Sequence, residues 1–194
     1  VIYLCRHGQT AFNRDGRIQG QCESALTPLG EAQAAAMGDL LHRRLGAETA
    51  GWRLVASPLG RAQASARIIG ERLGLPVQLE PRLKEVSVGA WEGRLREEVR
   101  ADHPDLFVDH GWMFHGPGGE TYGDVLVRVS AWLAEQGPDD ARRLIVVSHG
   151  VAGRLLRGAY AGLSRADTIA QDIPQNALFA LDGGRIDRLE CEPV

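Results

Sequence analysis

The chain has 194 residues, 44% of them hydrophobic and 24% charged, with a formal net charge of -3; this gives enough apolar content for one domain with a substantial core and too little charge imbalance for a disordered chain. Of the 22 basic residues only Lys84 is a lysine, and the arginines are dispersed rather than blocked together, which excludes the basic face a nucleic-acid binder needs. No run approaches the ~18 apolar residues of a membrane span, and no basic stretch followed by an apolar one marks a signal peptide in a chain that opens at Val1.

The first element, "VIYLC", reads as a buried strand from Val1 to Cys5, closed by a glycine-bearing turn. Residues 8–25 are loop-like. Thr27 then caps a helix with Pro28 in its first position, and Leu29, Ala36, Met37, Leu40, Leu41 and Leu45 are its expected buried stripe. "WRLVAS" predicts a second strand, and Ser57 followed by Pro58 the start of a second helix. "PVQLE" is a third strand, and the stretch through "GAWEG" is irregular. "TYGDVLVRVSAWLAEQ" is an amphipathic helix with Val125, Leu126, Val129, Trp132 and Leu133 inward. "RLIVVSHG" is a strong buried strand, and "ALFALDGGRIDRLE" a hairpin around Asp182, Gly183 and Gly184.

Strands alternating with helices predict an α/β fold with a mostly parallel sheet covered on both faces. No repeat, linker or low-complexity tract divides the chain, so residues 1–194 are expected to form a single domain. The segment "ADHPDLFVDHGWMFHGPGGE" breaks the pattern: Phe107, His110, Trp112, Phe114 and His115 are placed equally well in a plug at the end of the sheet or in a lid over a site. Cys5, Cys22 and Cys191 have no metal-type spacing and cannot all pair with one another, so a reducing, cytoplasmic setting is expected.

In open α/β sheets, ligands bind beyond the C-terminal ends of strands. Arg6 and His7 stand at such an end, and His149 repeats the arrangement: apolar strand, histidine, glycine. Arg61 falls in the first turn of the helix expected from Pro58, where the helix dipole is positive and an arginine is out of place unless an anion is held nearby. The strand before it should lie near the first, bringing Arg61 toward Arg6. Two histidines and two guanidiniums on one rim suit a phosphate dianion. Glu85, beside Val86, Val88 and Trp91, is the candidate proton donor, because a carboxyl near a dianion and apolar side chains tends to hold its proton. Glu92 is read as a surface glutamate.

"RHGQTAFNRDGRIQG", "SPLGRAQASARII", "LKEVSVGAWEG", "PGGETYGDVLVRV" and "VVSHG" occur in this order over nearly the whole chain, and together they resemble the histidine phosphatase superfamily, the phosphoglycerate mutase-like proteins. The resemblance implies a three-layer α/β/α sandwich and phosphoryl transfer through a phosphohistidine. It implies His7 as nucleophile, Arg6, Arg61, Asn13 and His149 as phosphoryl-binding groups, and Glu85 as general acid, with Gln19 and Gly20 contacting substrate. It implies no cofactor and no metal; the partner is a small phosphomonoester, with no nucleic acid or membrane involved.

The chain departs from the family pattern at Ser65, where threonine is common, at Ala25, where proline is common, and at Val151, where mutases carry asparagine. The short stretch between Glu85 and "PGGE" also favours a phosphatase over a mutase. Two rival readings are a metal hydrolase built on His7, His149 and Glu85, disfavoured by two arginines beside the cation, and a non-catalytic phospho-ligand module, disfavoured by the retained His7 and Glu85. The scarcity of cations in the 107–115 segment predicts an uncharged or partly apolar leaving group.

Overall fold

In the computed structural model, which describes residues 1–46, 48–108, 110–192 and 194, the opening apolar run forms β1 (Ile2–Arg6), followed by α1 (Ala11–Arg14), α2 (Pro28–Leu45), β2 (Arg53–Ala56), α3 (Gly60–Leu73) and β3 (Val77–Leu79). Then come α4 (Arg96–Asp102), α5 (Tyr122–Ala134), β4 (Leu144–Ser148), α6 (Gly150–Ala161), α7 (Arg165–Ala170), β5 (Ala177–Asp182) and β6 (Arg185–Glu190). The six strands make one sheet in the order β3-β2-β4-β1-β5-β6. The first four are parallel, and the β5–β6 hairpin adds antiparallel pairs at one edge.

Alternation along the strands sorts the side chains into two layers of core. Tyr3, Cys5, Leu54, Ala56, Ile145 and Val147 face α2 and α3. Ile2, Leu4, Val55, Leu144 and Val146 face the opposite way, onto α5 and α6. This is the period-two pattern of a sheet buried on both sides, and it establishes the three-layer α/β/α sandwich. Thr27 caps α2 by accepting from the Gly30 N–H at 3.1 Å, and Thr121 caps α5 in a reciprocal box with Asp124. No helix among the described residues is long and apolar enough to cross a membrane.

Several local expectations need correction. Leu29 is 39% exposed, because it lies on the solvent side of the first turn of α2, while Ala34, Ala36, Met37 and Leu41 are buried. The second helix starts at Gly60 rather than Pro58. Ser57 instead accepts from the Leu59 N–H at 3.3 Å and turns its hydroxyl to His149. β2 does lie near β1 as expected, with β4 between them. Residues of the 101–120 segment divide between the core and a cavity wall. Phe114 joins the core and meets Tyr122 edge-on, whereas Trp112 and Met113 line a cavity and His110 and His115 are exposed.

Candidate active site

β1 and β4 run side by side with Arg6 opposite Ser148, so the residues that follow them, His7 and His149, emerge together on one rim. Their rings lie 5.1 Å apart and are tilted by 59°. Ser57, just past the end of β2 on the far side of β4, completes the rim by a 2.7 Å hydrogen bond with His149 Nε2. Gly8 is needed where the chain leaves β1, because a Cβ there would stand 2.0 Å from the Gly30 carbonyl oxygen at the start of α2.

His7 is 2% exposed, and its Nδ1 lies 2.7 Å from the Gly8 carbonyl oxygen, which can only accept. Nδ1 therefore carries the proton and Nε2 presents the lone pair. That lone pair accepts from Arg61 Nε at 3.2 Å. Burial, reinforced by the charges of Arg61 and Arg6, holds the His7 imidazole well below its ordinary 6.5. The same three causes, with a contribution from His7 itself, keep His149 neutral as well.

Arg61 reaches His7 although β4 intervenes, because its side chain spans the gap: Nη2 donates to the Gly20 carbonyl at 2.6 Å and Nη1 to that of Cys22 at 2.9 Å. Its first-turn position on α3 is thus a launching point, and the guanidinium lies over the 20–22 loop. Ser65 ties this arrangement down, accepting from the Gly8 N–H and donating to the Arg61 carbonyl. Arg6 donates to the Ile173 carbonyl at 2.5 Å, and burial pushes it down to about 10 against the pull of Glu85.

Asn13 sits on α1, where its Oδ1 accepts from the Thr10 N–H and from Gln175 Nε2, and its Nδ2 donates to Gln19. Gln175 also donates to the His7 carbonyl. Among the described residues, three buried nitrogens have no hydrogen-bond partner: Arg6 Nε, Gln19 Nε2 and His149 Nδ1. All three belong to the site, and unpaired buried polar groups are costly unless a ligand satisfies them.

The Glu85 carboxylate does not nestle among Val86, Val88 and Trp91 as the sequence suggests. It faces the start of α6, accepting from the Val151 and Ala152 N–H groups at 3.1 and 2.9 Å and from its neighbour Val86 at 3.0 Å. A clamp holds the backbone behind it. Arg128, itself paired with Glu120 at 2.8 Å, donates to the carbonyls of Arg82, Lys84 and Glu85. Glu92 is not a free surface group either, for it accepts from Gln21, Ser87 and Val88 and ties the 20–22 loop to the 85–92 stretch.

Arg6, His7, Asn13, Gln19, Gly20, Arg61 and Glu85 all line one cavity of about 380 Å³. His149 lies just behind, in the wall of a much smaller cavity shared with Arg6. Every residue singled out in the sequence for the phosphoryl centre is thus brought together. Sequence reasoning missed Ser57, Gln175 and Arg128, and it missed Arg17, Arg96 and Arg154, which line the same cavity. These last three bring cations to the pocket from outside the 107–115 segment, so the scarcity of cations within that segment does not by itself argue for an uncharged or partly apolar leaving group.

A family model described as the histidine phosphatase superfamily (branch 1) matches residues 2–184. The chain is 38% identical over 175 residues to a protein of Enterobacter sp. (strain 638) named "Probable phosphoglycerate mutase GpmB", covering 84% of this chain and 75% of that one. It is 35% identical over 162 residues to the glucosyl-3-phosphoglycerate phosphatase of Mycobacterium tuberculosis, covering 77% and 70% of the two chains. The solved structure of a mycobacterial glucosyl-3-phosphoglycerate phosphatase in complex with VO3 superimposes with a TM-score of 0.80 at 30% identity over 98% of each chain.

Proposed function

The chain belongs to the histidine phosphatase superfamily, and from that premise we propose that it hydrolyses a small phosphorylated metabolite, with His7 as the group that becomes phosphorylated. The observation that carries the assignment is the state of His7: Nδ1 is tied to the Gly8 carbonyl, Nε2 bears a lone pair at the cavity wall, and the ring is held neutral between two guanidiniums. A neutral, oriented imidazole is the form that attacks phosphorus.

In this reading Nε2 of His7 forms a bond to phosphorus as the bond to the leaving alcohol breaks in line behind it. Arg61 and Arg6 hold the non-bridging oxygens, where charge spreads in a loose transition state. Asn13 and the unpaired nitrogens of Arg6 and Gln19 offer further donors, with His149 beside them. A proton carried by Glu85 passes to the departing oxygen. Water then attacks the phosphohistidine, the same carboxylate takes its proton, and His7 leaves neutral with phosphate released. The guanidiniums supply the positive charge, so no step is routed through a metal ion.

Val151, apolar and set in the cavity wall beside Glu85, favours hydrolysis over mutase-type transfer, since it offers no side-chain donor to hold a product for rebinding. The test is acid-labile, base-stable labelling of the protein by a labelled phosphomonoester, run in excess chelator. His7→Ala should abolish both the label and turnover. Normal turnover by His7→Ala would overturn the nucleophile assignment, and loss of activity on chelation with recovery on adding a divalent ion would promote the metal-hydrolase reading.

A further inference from the structure

Gln175 falls outside the ordered sequence motifs, yet its side chain touches two residues of the phosphoryl centre. Its Nε2 donates to the His7 carbonyl and to Asn13 Oδ1, both at 3.1 Å, groups that lie 168 and 162 residues earlier in the chain.

The strap that carries it, residues 171–175, is pinned at three successive carbonyls. Arg154 Nε donates to the Gln171 carbonyl at 2.6 Å, and Gln171 Nε2 returns a bond to the Arg154 carbonyl at 3.0 Å. Arg157, 3% exposed and stacked 3.8 Å from the centre of the Phe179 ring, donates from Nη2 to the Asp172 carbonyl at 2.6 Å. Arg6 Nη1 donates to the Ile173 carbonyl at 2.5 Å. A backbone held this closely sets the Gln175 amide in place before any ligand arrives.

A carbonyl oxygen can only accept, so the His7 carbonyl decides which end of the Gln175 amide faces inward. The inward nitrogen requires an oxygen from Asn13, the same oxygen to which the Thr10 N–H donates at 3.2 Å. Asn13 Nδ2 is thereby turned to Gln19 Oε1 at 3.4 Å, where the Thr10 hydroxyl also donates at 3.2 Å. What remains of the Gln19 amide is Nε2, buried without a partner in a residue that lines the cavity. The three amides run in one direction, nitrogen to oxygen at each step, and the last nitrogen is unpaired. Aligned amides polarise one another, which strengthens that last donor toward an anion.

We propose that Gln175 is a positioning residue, and that Gln175, Asn13 and Gln19 form a directed relay of amides that holds Gln19 Nε2 as a donor to a non-bridging oxygen of the bound phosphoryl group. The proposal rests on the phosphatase reading of the cavity and adds how its uncharged donors are oriented. The arginines answer the charge of the phosphoryl group, and the relay answers its geometry.

Among the described residues no hydrogen bond joins Gln175 to Gln19 directly, so a double-mutant cycle between them reads the relay. Two quantities are measured at about pH 8, where a glutamate is ionised: the affinity of inorganic vanadate by calorimetry, and kcat/KM with nitrophenyl phosphate. Gln175→Met and Gln19→Met should each lower both by roughly 10-fold, the loss of a hydrogen bond to a charged group. The double variant should lose about as much as either single one. Gln175→Glu, of the same length, turns oxygens toward the His7 carbonyl and Asn13 Oδ1, and it should do no better than Gln175→Met. Single losses that multiply to roughly 100-fold in the double variant overturn the relay. So does wild-type behaviour of Gln175→Met or of Gln175→Glu. Urea midpoints accompany each variant, and Gln175→Ala takes the place of Gln175→Met in the cycle if the latter does not fold. Vanadate affinity needs no turnover, so the two readings fail separately. Coupled losses of affinity with no phosphoenzyme from any substrate overturn the phosphatase reading, and a phosphoenzyme with independent losses overturns the relay alone.

Discussion

Acidification below about pH 6.5 should destabilise this protein, and the cause lies in His7 and His149. Both are 2% exposed, and both are held neutral well below the ordinary 6.5 by burial and by neighbouring cations. The unfolded chain binds a proton on each as pH falls through 6.5, whereas the folded chain resists. Stability is therefore greatest above 6.5 and falls as pH drops below it. Each histidine contributes a limiting slope of ~1.4 kcal/mol per pH unit, so the pair gives up to ~2.7 kcal/mol per unit, a large share of the ~5–15 kcal/mol that stabilises a typical domain. The carboxyl groups held below their ordinary values by arginine partners, Asp15, Glu80 and Asp102, lose their contribution only at lower pH, as they become protonated in turn. Urea midpoints measured from about pH 8 to about pH 5.5 give the slope, and the His7→Gln/His149→Gln double variant should flatten it. If wild type and double variant lose stability in parallel, the two histidines take up protons in the folded chain as readily as in the unfolded one, and burial does not hold His7 neutral.

Glu85→Gln should slow phosphoenzyme formation from alkyl phosphates by roughly 10²- to 10⁴-fold and from nitrophenyl phosphate much less, since a good leaving group needs little protonation; single-turnover measurement separates this step, and equal slowing for both would reduce Glu85 to a positioning role. Arg128→Met releases the clamp on the Arg82, Lys84 and Glu85 carbonyls. It should lower kcat for alkyl phosphates by roughly 10- to 100-fold through misplacement of the carboxylate, again with a smaller effect on nitrophenyl phosphate, and an equal loss on both substrates would show general damage to the fold instead.

Much of the scaffold and the inner site was legible because local signals and global structure agree. Thr27-Pro28 and the Thr121 box are strong helix starts, the buried strands are apolar and short, and the Asp182-Gly183-Gly184 turn can make little but a hairpin. The short elements were not legible. α4 buries only Val99 and α7 only Thr168 and Ile169, so neither writes a periodic apolar stripe. α6 was hidden for the opposite reason, since eight of its twelve residues are buried, including four alanine or glycine positions that carry little periodic signal. Ser57 looked like a cap because Ser-Pro usually is one, and only the position of β4 beside β2 reveals its hydroxyl as a partner for His149. The outer arginines escaped notice because 17, 96 and 154 are distant in sequence and become neighbours only through the bridge at Leu95 and the docking of α6.

The order of strands has a consequence for how the chain comes into being. β1 is made first, yet both of its neighbours, β4 and β5, come from residues 144–148 and 177–182. At ~5–20 residues per second of synthesis, the apolar segment "IYLCR" waits roughly seven to thirty seconds before the first of its two neighbours, β4, is made. Contacts of such long sequence separation fold slowly, and an unpaired apolar strand is a template for the wrong partner. Until β4 slots between β1 and β2, His7 and His149 have no common rim, so the phosphoryl site cannot exist before residues 144–149 are made and docked.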